Sequence, residues 1–289
     1  MTETPSQVSA HGADRVELDG RLGPIAALRI RRPDAPIVLL VPGYTGSKED
    51  FAPLLDPVAA DGFEVVAIDL PGQNESVGPA AESEYLPGPL GLVLAELIGK
   101  LGADGRPVLL LGHSYGGLVS RAAVLAGASI TGLTLLDSGP GELPSGARRQ
   151  LLDLAEPALR QYGIEALYQG MEAMSAQTPA WASKSDKLKA FLKERFLRNE
   201  PAGLLGMAHG LRSEPDQVGA LAHALRTQGT PCLVACGQDD DAWPVPLQRD
   251  MADRLDADFA VIPDALHSPN TENPTALLAT LLPTWHSWL

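Results

Sequence analysis

The residue best suited to chemistry is Ser114, which stands in the pattern Gly112-His113-Ser114-Tyr115-Gly116. An apolar run at residues 108–111 precedes it, and apolar residues at helical spacing follow from Leu118 onward. This order predicts a strand, a sharp turn and a helix, with glycines on both sides of the serine because a Cβ there would clash. Such a turn leaves the serine side chain exposed above the end of a strand.

Ser114 needs a base, because a serine hydroxyl is a weak nucleophile until a neighbouring group takes its proton. The sequence has six histidines, and only His267 follows a predicted sheet strand late in the chain. We therefore predict His267 as the general base. His113 adjoins the serine, but on so tight a turn its side chain is expected to point away from the hydroxyl. The others lie near the termini or in a helical region: His11, His209, His223 and His286.

A third group has to orient the imidazole and stabilise its cation. Asp240 lies three residues after Gly237, at the predicted end of a strand. Asp241 is its neighbour, and Asp137 ends a different strand that can face the same site. These residues alone leave three candidates for the acid.

A negative charge that develops on a substrate carbonyl oxygen needs hydrogen-bond donors. The turn Gly43-Tyr44-Thr45-Gly46 follows the first predicted parallel strand. We expect the backbone N–H groups of Tyr44 and Tyr115 to converge on the carbonyl oxygen and form an oxyanion hole.

Short apolar runs predict the strands that position these residues, the first two of them buried on both faces. The runs lie at residues 37–41, 63–68, 108–111, 130–136, 232–236 and 259–262. Helical patterns alternate with most of them, which favours parallel pairing with helices on both faces. An antiparallel hairpin is predicted at residues 16–32. The fold class is therefore α/β, with a doubly wound, mostly parallel sheet that binds ligands at its carboxyl edge.

Residues 141–227 interrupt this alternation with helical spacing alone. We predict that they form a helical cap over the strand ends, inserted into a core made of residues 1–140 and 228–289. The candidate substrate-binding residues are Trp181 and Met207 in the cap and Trp243 beside the acid. Their side chains suit a small or medium apolar group.

Several segments of the sequence resemble the motifs of one enzyme family. They are Pro42-Gly43-Tyr44-Thr45-Gly46-Ser47, the turn at Ser114, Gly237-x-x-Asp240 with Pro244, and His267-Ser268-Pro269. On these motifs the chain resembles the α/β-hydrolase superfamily, in its capped, serine esterase-like branch. The resemblance implies the chain order serine, aspartate, histidine and so favours Asp240 as the acid. Pro42 departs from the pattern, since the family commonly has histidine there.

The resemblance also implies a reaction. Dehalogenases and epoxide hydrolases of this superfamily carry aspartate at the position of Ser114, so a serine favours acyl transfer to water. We expect a hydrolase that cleaves a small to medium, largely apolar carboxylic ester or lactone through an acyl-enzyme on Ser114. A thioesterase, a carbon–carbon bond hydrolase with the same three residues, or a catalytically slow ligand-binding protein are the alternatives.

The composition and charge of the chain disfavour several classes of binding partner. The net charge of −14 disfavours nucleic acid and anionic membrane surfaces, and no apolar run reaches the length of a membrane span. No secretory signal is recognised, so a cytoplasmic protein is expected, as a monomer or homodimer that acts on a small-molecule acyl substrate and water. No metal or organic cofactor is expected. Cys232 and Cys236 are expected to be buried free thiols. They lie four positions apart on one predicted strand, which is too far for a disulfide.

Overall fold

The computed structural model describes residues 5–289 and contains one eight-stranded sheet, in the order β1-β2-β4-β3-β5-β6-β7-β8. The strands β1 and β2 form an antiparallel hairpin, and β2 is also antiparallel to β4. All other neighbouring pairs are parallel, as predicted. The strand bounds are β1 Asp14–Gly20, β2 Gly23–Ile30, β3 Ile37–Val41, β4 Glu64–Ile68, β5 Val108–His113, β6 Gly132–Leu136, β7 Cys232–Gly237 and β8 Asp258–Ile262.

Helices pack on both faces of the sheet. One apolar core joins it to α2, α3, α8 and α9, and a second joins it to α1 and α11. The helix bounds are α1 Ala52–Ala60, α2 Pro87–Leu101, α3 Tyr115–Leu125, α4 Ala147–Ser175, α5 Pro179–Ala182, α6 Asp186–Leu197, α7 Pro201–Ser213, α8 Val218–Gln228, α9 Val245–Leu255, α10 Pro269–Glu272 and α11 Pro274–Ser287.

The strand β3 shows why the central strands are mostly apolar. All five of its residues are buried. Ile37, Leu39 and Val41 contribute to the first core, and Val38 and Leu40 contribute to the second. Side chains alternate between the two faces of a strand, so a strand covered on both sides has no position for a polar residue.

The helices α4 to α7 lie between β6 and β7, where the sequence predicts the insertion. The next helix, α8, packs against α3 and α9 and belongs to the first core. The predicted boundary at residue 227 falls in the last turn of α8, whereas packing groups α8 with the core. The long helix α4 is broken at Gly163, whose φ of 81° and ψ of 176° are not helical.

The closing helix contains Pro283, and a proline inside a helix commonly kinks or ends it. The helix α11 instead continues to Ser287. Proline removes a hydrogen bond to the carbonyl four residues earlier, but Pro283 and Ala279 are both exposed, so water can satisfy that carbonyl. Cys232 and Cys236 are free and buried, as predicted. Within residues 5–289, no helix combines the length and apolarity that crossing a membrane requires.

Candidate active site

Ser114 lies between β5 and α3 in a strained conformation, with φ of 54° and ψ of −120°. Its N–H donates to the Leu136 carbonyl at 2.9 Å, which ties the turn to the neighbouring strand. A Cβ on Gly116 would lie 2.5 Å from the carbonyl oxygen of Val41, and one on Gly112 would meet the Gly116 carbonyl. Both positions therefore require glycine, because strand and helix approach too closely for a side chain.

His267 and Asp240 meet Ser114 at the carboxyl edge of the sheet. The Ser114 hydroxyl donates to His267 Nε2 at 2.9 Å, and His267 Nδ1–H donates to Asp240 Oδ1 at 2.8 Å. Ser114, Asp240 and His267 are 7%, 8% and 6% exposed. This chain of hydrogen bonds is the arrangement in which an imidazole removes a proton from a serine and a carboxylate stabilises the resulting cation.

Asp240 lies in the loop between β7 and α9 and is held as an ionised acceptor. Its Oδ1 also accepts from the Ala242 N–H at 2.8 Å, and its Oδ2 accepts from Gln248 Nε2 at 2.7 Å. Burial by itself would raise its pKa. The hydrogen bonds from His267, Ala242 and Gln248, with the attraction of a charged His267, outweigh burial and lower the pKa of Asp240 below its ordinary value.

The two other candidate acids do not form a hydrogen bond with His267. Asp241 is exposed and pairs with Arg148 at 2.7 Å. Asp137 is fully buried behind the site, where its Oδ1 accepts from the Gly237 N–H at 2.8 Å. Burial, followed by the negative charge of Asp240, raises the pKa of Asp137 well above its ordinary value. Of the three aspartates, the structure brings only Asp240 into hydrogen-bond contact with His267.

The only cluster of three potential metal-ligating side chains found in residues 5–289 is Asp137, Asp240 and His267, whose ligand atoms lie within 4.8 Å of one another. The hydrogen bond between His267 Nδ1 and Asp240 already uses one ligand atom from each of two members. The direct contact of His267 with the Ser114 hydroxyl fits an acid–base role better than metal binding.

The turn after β3 passes close to the serine. A Cβ on Gly43 would lie 2.9 Å from the Ser114 Cβ, and Thr45 has a positive φ of 56°. Among residues 5–289, the backbone N–H groups of Tyr44 and Tyr115 make no hydrogen bond to another protein group. Two free donors beside the serine are the resource that an oxyanion hole requires.

A buried ion pair supports this turn from below. Lys48 Nζ contacts Asp69 Oδ2 at 2.7 Å, and the Lys48 N–H donates to Asp69 Oδ1 at 2.7 Å. Burial raises the pKa of Asp69 to about 6, although Lys48 acts to lower it. The pair fixes the residues that follow the turn to the end of β4.

Sequence reasoning missed three positioning residues. Gln73 Nε2 donates to the Gly43 carbonyl at 2.8 Å, and Gln248 holds Asp240. His113 Nε2–H donates to the backbone carbonyl of His267 at 2.7 Å, so it connects the serine turn to the loop of the base. Gln73 lies in the loop that follows the buried strand β4, and a polar residue in such a loop is a signal that could have identified it. Nothing local marks the other two, since His113 contacts a loop far along the chain and the contact of Gln248 depends on how the loop before α9 folds.

Ser114 and His267 line a cavity of about 320 Å³. Its apolar wall comes from Leu143, Leu152, Met171 and Leu211. Its polar side includes Gln7, Asp50, Arg195 and Asn270. There, Arg195 Nη1 and Gln7 Nε2 both donate to Asp50 Oδ1, at 2.5 and 3.1 Å.

The three predicted substrate-binding side chains do not line this cavity. Trp243 is fully buried and donates to the Glu142 carbonyl at 3.2 Å, with its ring centroid 6.2 Å from that of His267. Met207 is buried in the first core beside Gln73. Trp181 lines an adjoining cavity of about 150 Å³, which shares Thr45 and Met171 with the Ser114 cavity. Large apolar side chains near a site are as often packing as contact surface, and sequence spacing does not separate the two.

Comparison with known proteins adds the family. The model of the alpha/beta hydrolase family matches residues 38–281, which is most of the chain. The chain belongs to the alpha/beta hydrolase family. A search of curated protein sequences gives no significant match.

Solved structures of the alpha/beta hydrolase fold resemble this one over nearly its whole length. A thermophilic esterase from Thermogutta terrifontis is 24% identical with a TM-score of 0.74, covering 96% of this chain and 99% of that one. A carboxylesterase from the thaumarchaeon Nitrososphaera gargenis is 18% identical with a TM-score of 0.73, covering 94% and 98%. An enol-lactonase from Burkholderia xenovorans is also 18% identical with a TM-score of 0.73, covering 94% and 99%. At these identities the resemblance establishes the fold.

Proposed function

We propose that this member of the alpha/beta hydrolase family is a serine hydrolase that cleaves a carboxylic ester or lactone. The observation that carries the proposal is the hydrogen-bonded series Ser114, His267 and Asp240, with distances of 2.9 and 2.8 Å. The esterase and enol-lactonase among the similar structures support the same substrate class. The helices α4 to α7 act as the cap that closes the substrate cavity.

In the proposed mechanism the Ser114 oxygen attacks the substrate carbonyl carbon while His267 Nε2 takes the hydroxyl proton. Asp240 keeps the proton of His267 on Nδ1 and stabilises the imidazolium. The backbone N–H groups of Tyr44 and Tyr115 hold the oxyanion. His267 then gives its proton to the leaving alcohol, and water activated by the same imidazole releases the acid from Ser114.

A fluorophosphonate probe and short-chain nitrophenyl esters test the proposal. We expect the probe to attach to Ser114, identified by mass spectrometry of the labelled peptide, and the esters to be hydrolysed. The matched control is Ser120→Ala, since Ser120 is a buried serine on α3, outside the site. Labelling and turnover should survive this change and disappear in Ser114→Ala. Full ester turnover by Ser114→Ala would refute the proposal.

Oxygen esters, thioesters and diketones presented to the same preparation separate the alternatives. The proposed function requires the highest kcat/KM for oxygen esters or lactones. A clear preference for thioesters or diketones would keep the three residues and change the reaction.

A further inference from the structure

A second cavity, of about 360 Å³, lies between the two limbs of α4. The break at Gly163 separates a first limb, which contributes Leu151 and Leu154, from a second limb, which contributes Met171 and Met174. We call this cavity the α4 pocket. A continuous helix would place these side chains along one rod, so the break is what lets the two limbs enclose a space.

The walls of the α4 pocket are unusually exposed for apolar side chains. Leu151, Leu154, Met171 and Met174 are 49%, 68%, 43% and 58% exposed. Single exposed apolar residues are ordinary on a protein surface, but several that converge on one cavity indicate a binding site. The pocket therefore suits a ligand that is apolar along its length.

The α4 pocket adjoins the cavity that holds Ser114. Tyr44, Thr45, Leu151, Leu152 and Met171 line both. The two cavities therefore lie side by side, one at the reactive serine and the other lined mainly by apolar side chains. The first of these shared residues, Tyr44, also carries one of the two free N–H groups beside the serine.

The residues that line the two cavities indicate which half of an ester, acyl or alcohol, lies nearer the α4 pocket. The leaving alcohol has to lie beside His267, which gives it a proton. His267 lines the Ser114 cavity but not the α4 pocket. Tyr44, whose N–H holds the acyl carbonyl oxygen in the proposed mechanism, lines both cavities, so the half of the substrate that reaches past Tyr44 and Thr45 is the acyl half.

We propose that the α4 pocket binds the hydrocarbon chain of the acyl group, so that the enzyme prefers medium-length, unbranched acyl esters or lactones over acetates. This inference rests on the proposed serine hydrolase function and names its substrate class. Each additional methylene that enters the pocket should raise kcat/KM by about fourfold until the pocket is full.

Gly170 offers a clean way to fill the pocket. It lines the α4 pocket on the second limb, and a Cβ there would meet no atom within 4 Å. Gly170→Leu should therefore occupy the space without strain and with improved helix propensity. The matched control is Gly219→Leu on α8, another exposed helical glycine whose Cβ would meet nothing within 4 Å.

The experiment compares nitrophenyl acetate, butyrate, hexanoate, octanoate and decanoate as substrates of the unmodified protein and its variants. We expect kcat/KM of the unmodified protein and of Gly219→Leu to rise with acyl length. In Gly170→Leu, kcat/KM for acetate should stay within about twofold of that of the unmodified protein, while kcat/KM for octanoate should fall by at least about tenfold. The reason is that two or more methylenes can no longer enter the pocket. Leu154→Gln, which keeps volume but removes apolar surface, should also flatten the rise.

Each remaining outcome is decisive. If all acyl lengths are hydrolysed equally, or if Gly170→Leu responds to acyl length as Gly219→Leu does, the inference is wrong and the proposed function stands. If acetates of longer alcohols show the rise and Gly170→Leu abolishes it, the pocket holds the alcohol half and the assignment is overturned. If no ester is turned over and the fluorophosphonate probe does not label Ser114, the proposed function fails and this inference fails with it.

Discussion

The carboxyl edge of the sheet and the helices α4 to α7 build the two sides of one cavity by different means. At the sheet edge, Ser114, Asp240 and His267 are buried, and each is held by hydrogen bonds. On the helical side, Leu154 and Met174 are more than half exposed, and α4 is broken at Gly163. The sheet edge holds its polar side chains in fixed positions, and the helical side presents exposed apolar surface.

The difference indicates a division of roles. Reaction chemistry needs groups placed to within a fraction of an ångström, which strands and tight turns supply. Selection of a hydrocarbon chain needs only apolar area and space, which helices on the outside of the sheet supply. Substitutions at the sheet edge should therefore change turnover of every substrate, whereas substitutions on α4 should change only which substrates are favoured.

The largest expected effect belongs to Ser114→Ala. Removal of the hydroxyl should lower kcat for every ester by a factor of at least about 10⁴, because no acyl-enzyme can form. The thermal midpoint should change little, since one small buried atom group is lost. Steady-state kinetics and thermal denaturation on the same preparation check this. Residual turnover within tenfold of the unmodified protein would place the nucleophile elsewhere.

The second prediction separates the two buried aspartates. Asp240→Asn should lower kcat by about 10⁴, because an amide favours the wrong tautomer of His267 and cannot stabilise its cation. Asp137→Asn should lower kcat by less than about tenfold, because Asp137 makes no hydrogen bond to His267, and an amide oxygen can still accept from the Gly237 N–H.

Kinetics of the two variants at neutral pH decide between them. Equal losses would mean that Asp137 also acts on His267. A larger loss in Asp137→Asn would make Asp137 the acid and contradict the hydrogen bonding described here.

Some of these features could be predicted from the sequence and others could not, for physical reasons. The turn at Ser114 could be predicted because its strain demands glycine at Gly112 and Gly116, which leaves a local pattern. The central strands could be predicted because burial on both faces leaves no polar position. The family resemblance selected Asp240 from three aspartates, and the residues alone did not.

The helical side could not be predicted in the same way. Trp181, Trp243 and Met207 were expected to contact substrate, yet Trp243 and Met207 are packed inside and Trp181 lines another cavity. An apolar residue at helical spacing has the same pattern whether it meets the core or a ligand. The break at Gly163 escaped detection because one glycine in a helical pattern does not reveal its φ angle.

The third prediction compares how well the sheet edge and the helical side tolerate a substitution at a glycine. Gly116→Ala should lower the free energy of unfolding by about 3 kcal/mol, because its Cβ would meet backbone oxygens of β3 and the following turn at 2.5 Å. Gly163→Ala should cost about 1 kcal/mol, from backbone strain alone, since the nearest atom to its Cβ is 3.9 Å away.

Urea denaturation measures both variants, with hydrolysis of nitrophenyl acetate as the second readout. Gly116→Ala should also lose most of its activity, because the Ser114 turn moves, whereas Gly163→Ala should retain it. If Gly163→Ala were the more damaging change, the contrast between a rigid sheet edge and a tolerant helical side would be lost.

The smallest expected effect concerns pH and His113. Burial, followed by the positive charge that His267 can carry, lowers the pKa of His113 from 6.5 to about 4. Between these values the unfolded chain binds a proton at this position that the folded chain does not, so acidification destabilises the folded state. His113→Gln keeps a donor for the His267 carbonyl but does not titrate. Its free energy of unfolding, measured in urea from pH 7 to 4.5, should therefore fall less steeply than that of the unmodified protein, and parallel curves would show that His113 binds its proton equally well in both states.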